Sequence, residues 1–367
     1  MRTGVFPLLP AAGLLGLVLM MPGCGGNGAI PAGDRVFSEM ERFRKAAGVF
    51  LDYRGRAELI LHRAGSYQEY PKNLNCPEFS AKEKVRDICD LMDLSFGRYG
   101  ADGIEIDLQT VPGSGDFSRV YISHDRIDPG KALGNEAVKR YLQRNSLDLI
   151  IAHYVRKGYH RRGKSLYLEL KVPRKSLFEN NGPLDEAEKT YVKKILSDLE
   201  GAVAAADKST LVRSAVKSRI GLISFNLHAL QYAYEVMREP AYGLHFLAAT
   251  NRPFAGRLAA LFDRELNYLN DGLKQSLEKA YWLNGIWYDP RGVEDSFMIF
   301  NKVNAGRKIP LGLYLFTYKL AFDDLVGVLR GNLYKDDGGT VRKLGQVRGL
   351  CFEVQAFDRP DRHASCE

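Results

Sequence analysis

The chain has 367 residues, 45% of them apolar and 26% charged, and its 18 Phe and 19 Tyr exclude a disordered polypeptide. Its 36 Gly follow no period, which excludes a collagen-like repeat. A formal net charge of +8 and a pI of about 9.1 attract anions without choosing between nucleic acid, lipid headgroups and small phosphates.

At the N-terminus, residues 1–23 carry one charge, Arg2, followed by an apolar stretch from Val5 to Met21 and then Pro22-Gly23-Cys24. A basic start, a short apolar core and a small residue before the break are the parts of a secretory signal. Nowhere else does an apolar run reach the roughly 18 residues that a membrane span needs. Met21-Pro22-Gly23-Cys24 resembles a lipobox, with Met21 where Leu is usual, so Cys24 is the expected site of cleavage and acylation. The alternative is an ordinary signal cleaved nearby, with Cys24 unmodified. The lipoprotein reading places the mature chain in the cell envelope, anchored to the membrane and facing the periplasm or the exterior. Residues 24–50 then form a tether and lead-in, with Gly25-Gly26-Asn27-Gly28 its flexible part.

Past the tether, short apolar runs alternate with helical spacing, the signature of parallel strands joined by crossover helices. Eight runs stand out: Glu58–His62, Gly103–Leu108, Val120–His124, Leu166–Val172, Ile220–Phe225, Tyr242–Leu247, Gly285–Tyr288 and Gly312–Thr317. Leu184, Ala187, Tyr191, Ile195 and Leu199 put one apolar stripe on a helix between them, and 256–283 also reads as helix. Eight strands in this order and span predict an α/β fold, a (β/α)8 TIM barrel in one domain over 51–330, with 331–367 an irregular C-terminal tail. A doubly wound open sheet is the rival, but the Gly-rich dinucleotide fingerprint and the P-loop motif are both absent.

Besides Cys24 there are four cysteines, Cys76, Cys89, Cys351 and Cys366. An even number suits an oxidising compartment, and proximity in sequence favours pairing 76 with 89 and 351 with 366. Free buried thiols are the alternative.

The polar residues of a barrel matter most at the C-terminal ends of its strands, where active sites lie. The first run ends in His62-Arg63, the second carries Glu105-Ile106-Asp107, the third ends in His124-Asp125 and the fourth carries Glu169-Leu170-Lys171. Side chains two apart on a strand share a face. Glu105 therefore points with Asp107, and Glu169 with Lys171. Three converging carboxylates repel one another unless a cation sits among them, and their hard oxygens suit Ca²⁺ or Mg²⁺. Arg63 and Lys171 add charge for an anionic substrate, and two histidines can move protons. The basic run Arg156, Lys157, His160, Arg161, Arg162 and Lys164 precedes the fourth strand at its far end and reads as a solvated face, with contact to anionic lipid as the alternative. His228 and His245 lie near later strands, and Tyr288-Asp289 ends the seventh. No basic stripe interleaved with aromatics argues for nucleic acid.

In these motifs the chain resembles the glycerophosphodiester phosphodiesterase family, whose pattern runs His-Arg-Gly, Pro-Glu-Asn, Gly-Ala-Asp-x-Ile-Glu-x-Asp, His-Asp and Glu-x-Lys. The matching residues here are His62-Arg63-Ala64-Gly65, Gly100-Ala101-Asp102-Gly103-Ile104-Glu105-Ile106-Asp107, His124-Asp125 and Glu169-Leu170-Lys171, with Ser224-Phe225 and Phe316-Thr317 as later landmarks. Ala64 stands as an extra residue after His-Arg, Pro71-Lys72-Asn73 replaces Pro-Glu-Asn, Phe316 replaces a Trp, and Thr110–Arg119 lacks an Asp-Gly turn. The resemblance implies a divalent cation held by Glu105, Asp107 and Glu169, His62 and His124 as acid and base, and Arg63 and Lys171 on the phosphate. It implies hydrolysis of glycerophosphodiesters to an alcohol and glycerol 3-phosphate. A phospholipase D-type enzyme acting on lysophospholipid or sphingomyelin, or a non-catalytic envelope lipoprotein that binds phospholipid headgroups, are the alternatives.

Overall fold

A computed structural model describes residues 58–65, 87–98, 100–110, 119–124, 134, 136–172, 182–238, 241–248, 274–288, 304, 307–316, 333–335, 341–343 and 347–352. The signal segment, tether, Cys24, Cys76, Pro71-Lys72-Asn73, Asp125, Asp289, Thr317 and Cys366 lie outside them. The strands are β1 (Glu58–Leu61), β2 (Gly103–Thr110), β3 (Val120–Ile122), β4 (Ser165–Leu170), β5 (Ile220–Ser224), β6 (Gly243–Ala248), β7 (Gly285–Tyr288), β8 (Gly312–Phe316), β9 (Leu333–Lys335), β10 (Val341–Lys343) and β11 (Val347–Phe352). The helices longer than one turn are α1 (Ile88–Asp93), α2 (Glu136–Arg144), α3 (Leu147–Arg156), α4 (Glu186–Ala206), α5 (Thr210–Lys217), α6 (Leu227–Met237) and α7 (Lys274–Lys279). Among the described residues, no helix is long and apolar enough to cross a membrane.

Eight strands close into a parallel barrel. Its order is β1, β2, β4, β5, β6, β7, β8 and β11, which pairs back onto β1 with Leu59 beside Leu350. The TIM-barrel expectation holds, but two of its parts are corrected. The third apolar run is not a barrel strand: β3 lies antiparallel on β2, with Leu108 opposite Ile122 and Thr110 opposite Val120. The eighth barrel strand is instead β11, inside the segment read as an irregular tail, so the barrel domain extends past residue 330. Composition hides this exchange. β3 is three buried apolar residues in a row, as in a barrel strand, whereas β11 has Arg348 and Gly349 in its middle. Gly349 is there for space, because a Cβ at this position would overlap the Tyr314 ring.

Glycines recur along the inner wall for the same reason. A Cβ on Gly221 would come within 2.6 Å of Tyr167 Cδ1, and one on Gly285 within 2.5 Å of His245 Nδ1. Large rings from β4, β6, β7 and β8 fill the room thus left. Trp287 stacks on Tyr314 with centroids 5.1 Å apart, and His245 meets Tyr314 edge-on at 5.0 Å. Tyr167 donates to the half-buried Glu58 carboxylate at 2.5 Å. The barrel is therefore a packed core, open to chemistry at one end.

The helices form where capping chemistry and apolar spacing agree. Asp185 accepts the Glu188 N–H at 2.8 Å and the Glu188 side chain accepts the Asp185 N–H at 2.9 Å, a capping box that starts α4. Its buried stripe runs through Tyr191, Val192, Ile195, Leu196, Leu199, Ala202 and Val203, while Ala187, which the spacing places on that stripe, is exposed. Of the predicted helix 256–283, α7 falls within the described residues. The basic run before β4 is knitted into the far end of the barrel. Asp93 accepts from Lys157 at 2.7 Å and pairs with His153 at 2.6 Å, Arg162 lies 4.6 Å over the Tyr159 ring, and Lys164 donates to the Ala101 carbonyl at 2.5 Å. A plain solvated face misses these contacts.

Candidate active site

The carboxylates come from two neighbouring strands. On β2 the even residues Ile104, Ile106 and Leu108 pack outward against the helices, which turns Gly103, Glu105, Asp107 and Gln109 into the barrel. β4 pairs in parallel with β2 so that Glu169 stands beside Asp107 and Tyr167 beside Glu105. Ligand oxygens of Glu105, Asp107 and Glu169 lie within 4.8 Å of one another, and all three residues are buried. Asp102, in the same motif, does a different job: its carboxylate accepts the Leu59 N–H at 3.1 Å and its own N–H donates to the Leu59 carbonyl at 2.8 Å, stitching β1 to the entry of β2.

Cations and one histidine are built around this cluster. Lys171 Nζ lies 2.9 Å from Asp107 Oδ1 and 3.2 Å from Glu169 Oε1. Arg63 Nε is 3.6 Å from Asp107 Oδ2, the Arg63 backbone N–H donates to Glu105 Oε2 at 3.1 Å, and His62 Nε2 is 3.5 Å from the same oxygen. These three contacts depend on the tight turn His62–Gly65 that follows β1. Within it Arg63 has φ 49° and Ala64 φ 53°, both left-handed, and Ser95 Oγ donates to the Ala64 carbonyl at 2.5 Å. Ala64 thus occupies a left-handed position of the kind that glycine fills without strain. Ala64→Gly should be nearly neutral. Relief of about 1–2 kcal/mol of left-handed strain is offset by roughly 0.8 kcal/mol of lost methyl burial and about 0.4–1 kcal/mol of added freedom in the unfolded chain. Ala64→Val should destabilise by at least about 2 kcal/mol, since a β-branched side chain is a true outlier here. Thermal melts of the two variants check the contrast, and equal melting temperatures would contradict it.

His124 arrives from outside the barrel. β3 ends at Ile122, the Ser123 N–H donates to the Asp107 carbonyl at 3.1 Å, and the Gln109 amide donates to the His124 carbonyl at 3.3 Å. Half-buried at the barrel mouth, His124 is near enough for its charge to act on Asp107. The structure thus brings His62, Arg63, Glu105, Asp107, His124, Glu169 and Lys171 together. Gln109, which continues the two-residue period of Glu105 and Asp107, also belongs at this mouth. The motif reading passed over it, although the same periodicity points to it.

Other singled-out residues lie elsewhere. His245 is buried among the rings of the barrel core, where burial lowers its pKa to about 3 and keeps it neutral. His228 is half-buried in the first turn of α6. Ser224 donates to the Leu170 carbonyl at 2.8 Å and accepts the Asn226 N–H at 3.2 Å, a tie between β4 and the start of α6. Tyr288 and Phe316 end β7 and β8, their side chains outside the described set. Cys89 carries a free thiol on α1, with burial raising its pKa to about 12, and Cys351 is buried in the barrel wall. Their suggested partners, Cys76 and Cys366, are not among the described residues.

Electrostatics divides the three carboxylates. Burial works against ionisation of Asp107, but Lys171, His124, Arg63 and His62 together outweigh it and hold its carboxyl below the usual range. Burial, then the charges of Asp107 and Glu169, push Glu105 well above that range. Burial also lifts Glu169, to about 7, against the opposing pull of Lys171. Glu105 Oε1 is buried and has no hydrogen-bond partner among the described residues. A fully buried carboxylate oxygen beside two more carboxylates fits a hard divalent cation such as Mg²⁺ or Ca²⁺.

This arrangement sets a pH dependence. Carboxyls whose native pKa is raised keep protons that the unfolded chain has released, so stability falls as pH rises from the unfolded value, about 4.3, through the native one near 7. The melting temperature of EDTA-treated protein should fall between pH 5 and 8, and added Mg²⁺ or Ca²⁺ should restore it above pH 7 by taking the place of the protons. Glu169→Gln should flatten the slope. A melting temperature that rises over this range would contradict the account.

No protein-family model and no curated protein matches the sequence. Solved structures do resemble the chain. A glycerophosphodiester phosphodiesterase from Parabacteroides distasonis is 13% identical with a TM-score of 0.43, over 81% of this chain and 93% of that one. A Silicibacter pomeroyi protein assigned as a glycerophosphoryl diester phosphodiesterase is 12% identical with a TM-score of 0.47, over 88% and 96%. An Oleispira antarctica phosphodiesterase, solved with the product sn-glycerol-3-phosphate, is 16% identical with a TM-score of 0.41, over 85% and 99%. At these values the chemistry has to be read from the residues of this site.

Proposed function

We propose that the chain is a metal-dependent phosphodiesterase that hydrolyses glycerophosphodiesters to an alcohol and glycerol 3-phosphate. The observation that carries this reading is the buried Glu105, Asp107 and Glu169 cluster, with its unpartnered Glu105 oxygen, ringed by His62, Arg63 and Lys171 under His124. Glu105, Asp107 and Glu169 would hold a divalent cation, which would supply positive charge for the phosphoryl group.

The chain's own groups do the rest. Arg63 and Lys171 neutralise the charge of the diester and hold it at the barrel mouth. One histidine takes the proton of the attacking hydroxyl as its oxygen bonds to phosphorus, and the other protonates the leaving alkoxide as the second P–O bond breaks. With the neighbouring glycerol hydroxyl as nucleophile, the first product is a cyclic phosphate, which water then opens with the two histidines exchanging roles. Glu105 aligns His62 Nε2 from 3.5 Å, and its acceptance of the Arg63 N–H fixes the turn that carries both.

The experiment is a headgroup panel assayed with the mature protein, with and without Mg²⁺ or Ca²⁺. Release of glycerol 3-phosphate from glycerophosphodiesters supports the reading. Turnover of lysophospholipid or sphingomyelin alone replaces it with the phospholipase D-type activity, and binding of every headgroup without turnover replaces it with a non-catalytic lipoprotein. The lipobox-like Met21-Pro22-Gly23-Cys24 supports a membrane anchor at Cys24 and a place in the cell envelope. Mass spectrometry of the membrane fraction should show an acylated Cys24 at the N-terminus, and an unmodified N-terminus elsewhere would sink this part.

A further inference from the structure

At the barrel mouth, a hydrogen-bonded chain leads from a helix to the catalytic candidate that sits on no regular element. We propose that Gln109 is a positioning residue that sets His124 over the carboxylates, and that Tyr191 of α4 fixes the Gln109 amide in the orientation this requires. The proposal rests on the phosphodiesterase reading.

Each link has a direction. The Tyr191 hydroxyl accepts the Thr110 N–H at 3.2 Å and donates to Gln109 Oε1 at 2.8 Å. With Oε1 committed to Tyr191, the amide NH₂ faces the His124 carbonyl, to which Nε2 donates at 3.3 Å. A flipped amide would set its oxygen against that carbonyl, two acceptors facing each other. Gln109 is 4% exposed, so water does not replace a lost partner cheaply. Tyr191 lies three residues past the Glu188 of the capping box, in a helix whose buried stripe packs on the barrel. The neighbouring segment is held separately, by the Ile122 N–H on the Asn145 carbonyl at 3.0 Å and the Tyr141 hydroxyl on the Ile122 carbonyl at 3.0 Å. Gln109 therefore governs where His124 stands rather than whether β3 forms.

The test is a mutant cycle on the full-length mature protein. Gln109→Leu removes both polar contacts at similar volume and should lower kcat by about 10- to 100-fold, the scale of a misplaced catalytic group, with KM within about twofold. Tyr191→Phe should act in the same direction with a smaller factor, and it carries the test if Gln109→Leu does not fold. In a His124→Ala background, neither change should lower kcat by more than about twofold, because groups that act through one another are not additive. Equal factors in both backgrounds, or an effect confined to KM, would overturn the proposal. If the wild type turns over no member of the headgroup panel, the functional reading itself has failed. Positioning is then read from amide exchange: faster exchange at Ser123 in Gln109→Leu at unchanged melting temperature upholds it, and unchanged exchange overturns it.

Discussion

His62→Ala and His124→Ala should each lower kcat by roughly 10²–10⁴, the usual worth of a positioned acid or base. His62 comes from the turn after β1 and His124 from the segment after β3, and in the proposed mechanism each would serve a different oxygen of one phosphodiester. Wild type should show a bell-shaped pH profile, and each variant should lose one limb. Neither histidine is placed as a metal ligand, so cation affinity, measured by calorimetry on the apo protein, should change little. Near-normal rates in both variants across pH 5–9 would remove the acid/base assignment while leaving the barrel intact. Limbs that survive in both variants would move the titrating groups elsewhere. His245 would be a poor substitute, since it is packed among rings and kept neutral by burial.

The second large effect has opposite signs on neighbouring carboxylates of one strand. Asp107 is the charge that Lys171 and Arg63 face, at 2.9 and 3.6 Å, whereas Glu105 is the carboxyl that its neighbours repel. Asp107→Asn should destabilise the metal-free protein by about 3 kcal/mol or more, because two cations at the barrel mouth lose their principal anion. Glu105→Gln should raise the melting temperature of the metal-free protein above pH 7, since it removes a repelled buried charge and keeps an acceptor for the Arg63 N–H. Both variants should lose cation binding and turnover. Melts in EDTA at pH 8 separate them, and shifts of the same sign would show that the charge distribution is wrong.

Much of this site was legible in the sequence because strand geometry is simple. Glu105 and Asp107, or Glu169 and Lys171, must share a face once their segments are strands, and the barrel rule then says which end matters. What escaped was long-range. Val120–Ile122 has the composition of a buried strand, and nothing local says that it lies antiparallel on β2 outside the barrel instead of within it. Val347–Phe352 is disguised by Gly349, whose reason is the Tyr314 ring on a different strand. The left-handed backbone of Arg63 and Ala64 is set by the turn after β1 and leaves no mark in the composition. Gln109 was within reach of the two-residue period, but its role depends on Tyr191, 82 positions further along the chain.

The most direct test of the central claim is metal add-back. Mature protein stripped with EDTA should release no glycerol 3-phosphate from a glycerophosphodiester and should recover on titration with Mg²⁺ or Ca²⁺, while Glu105→Gln should neither bind the cation nor recover. Full activity in the stripped protein, or wild-type cation affinity in Glu105→Gln, would contradict a metal centre at Glu105, Asp107 and Glu169.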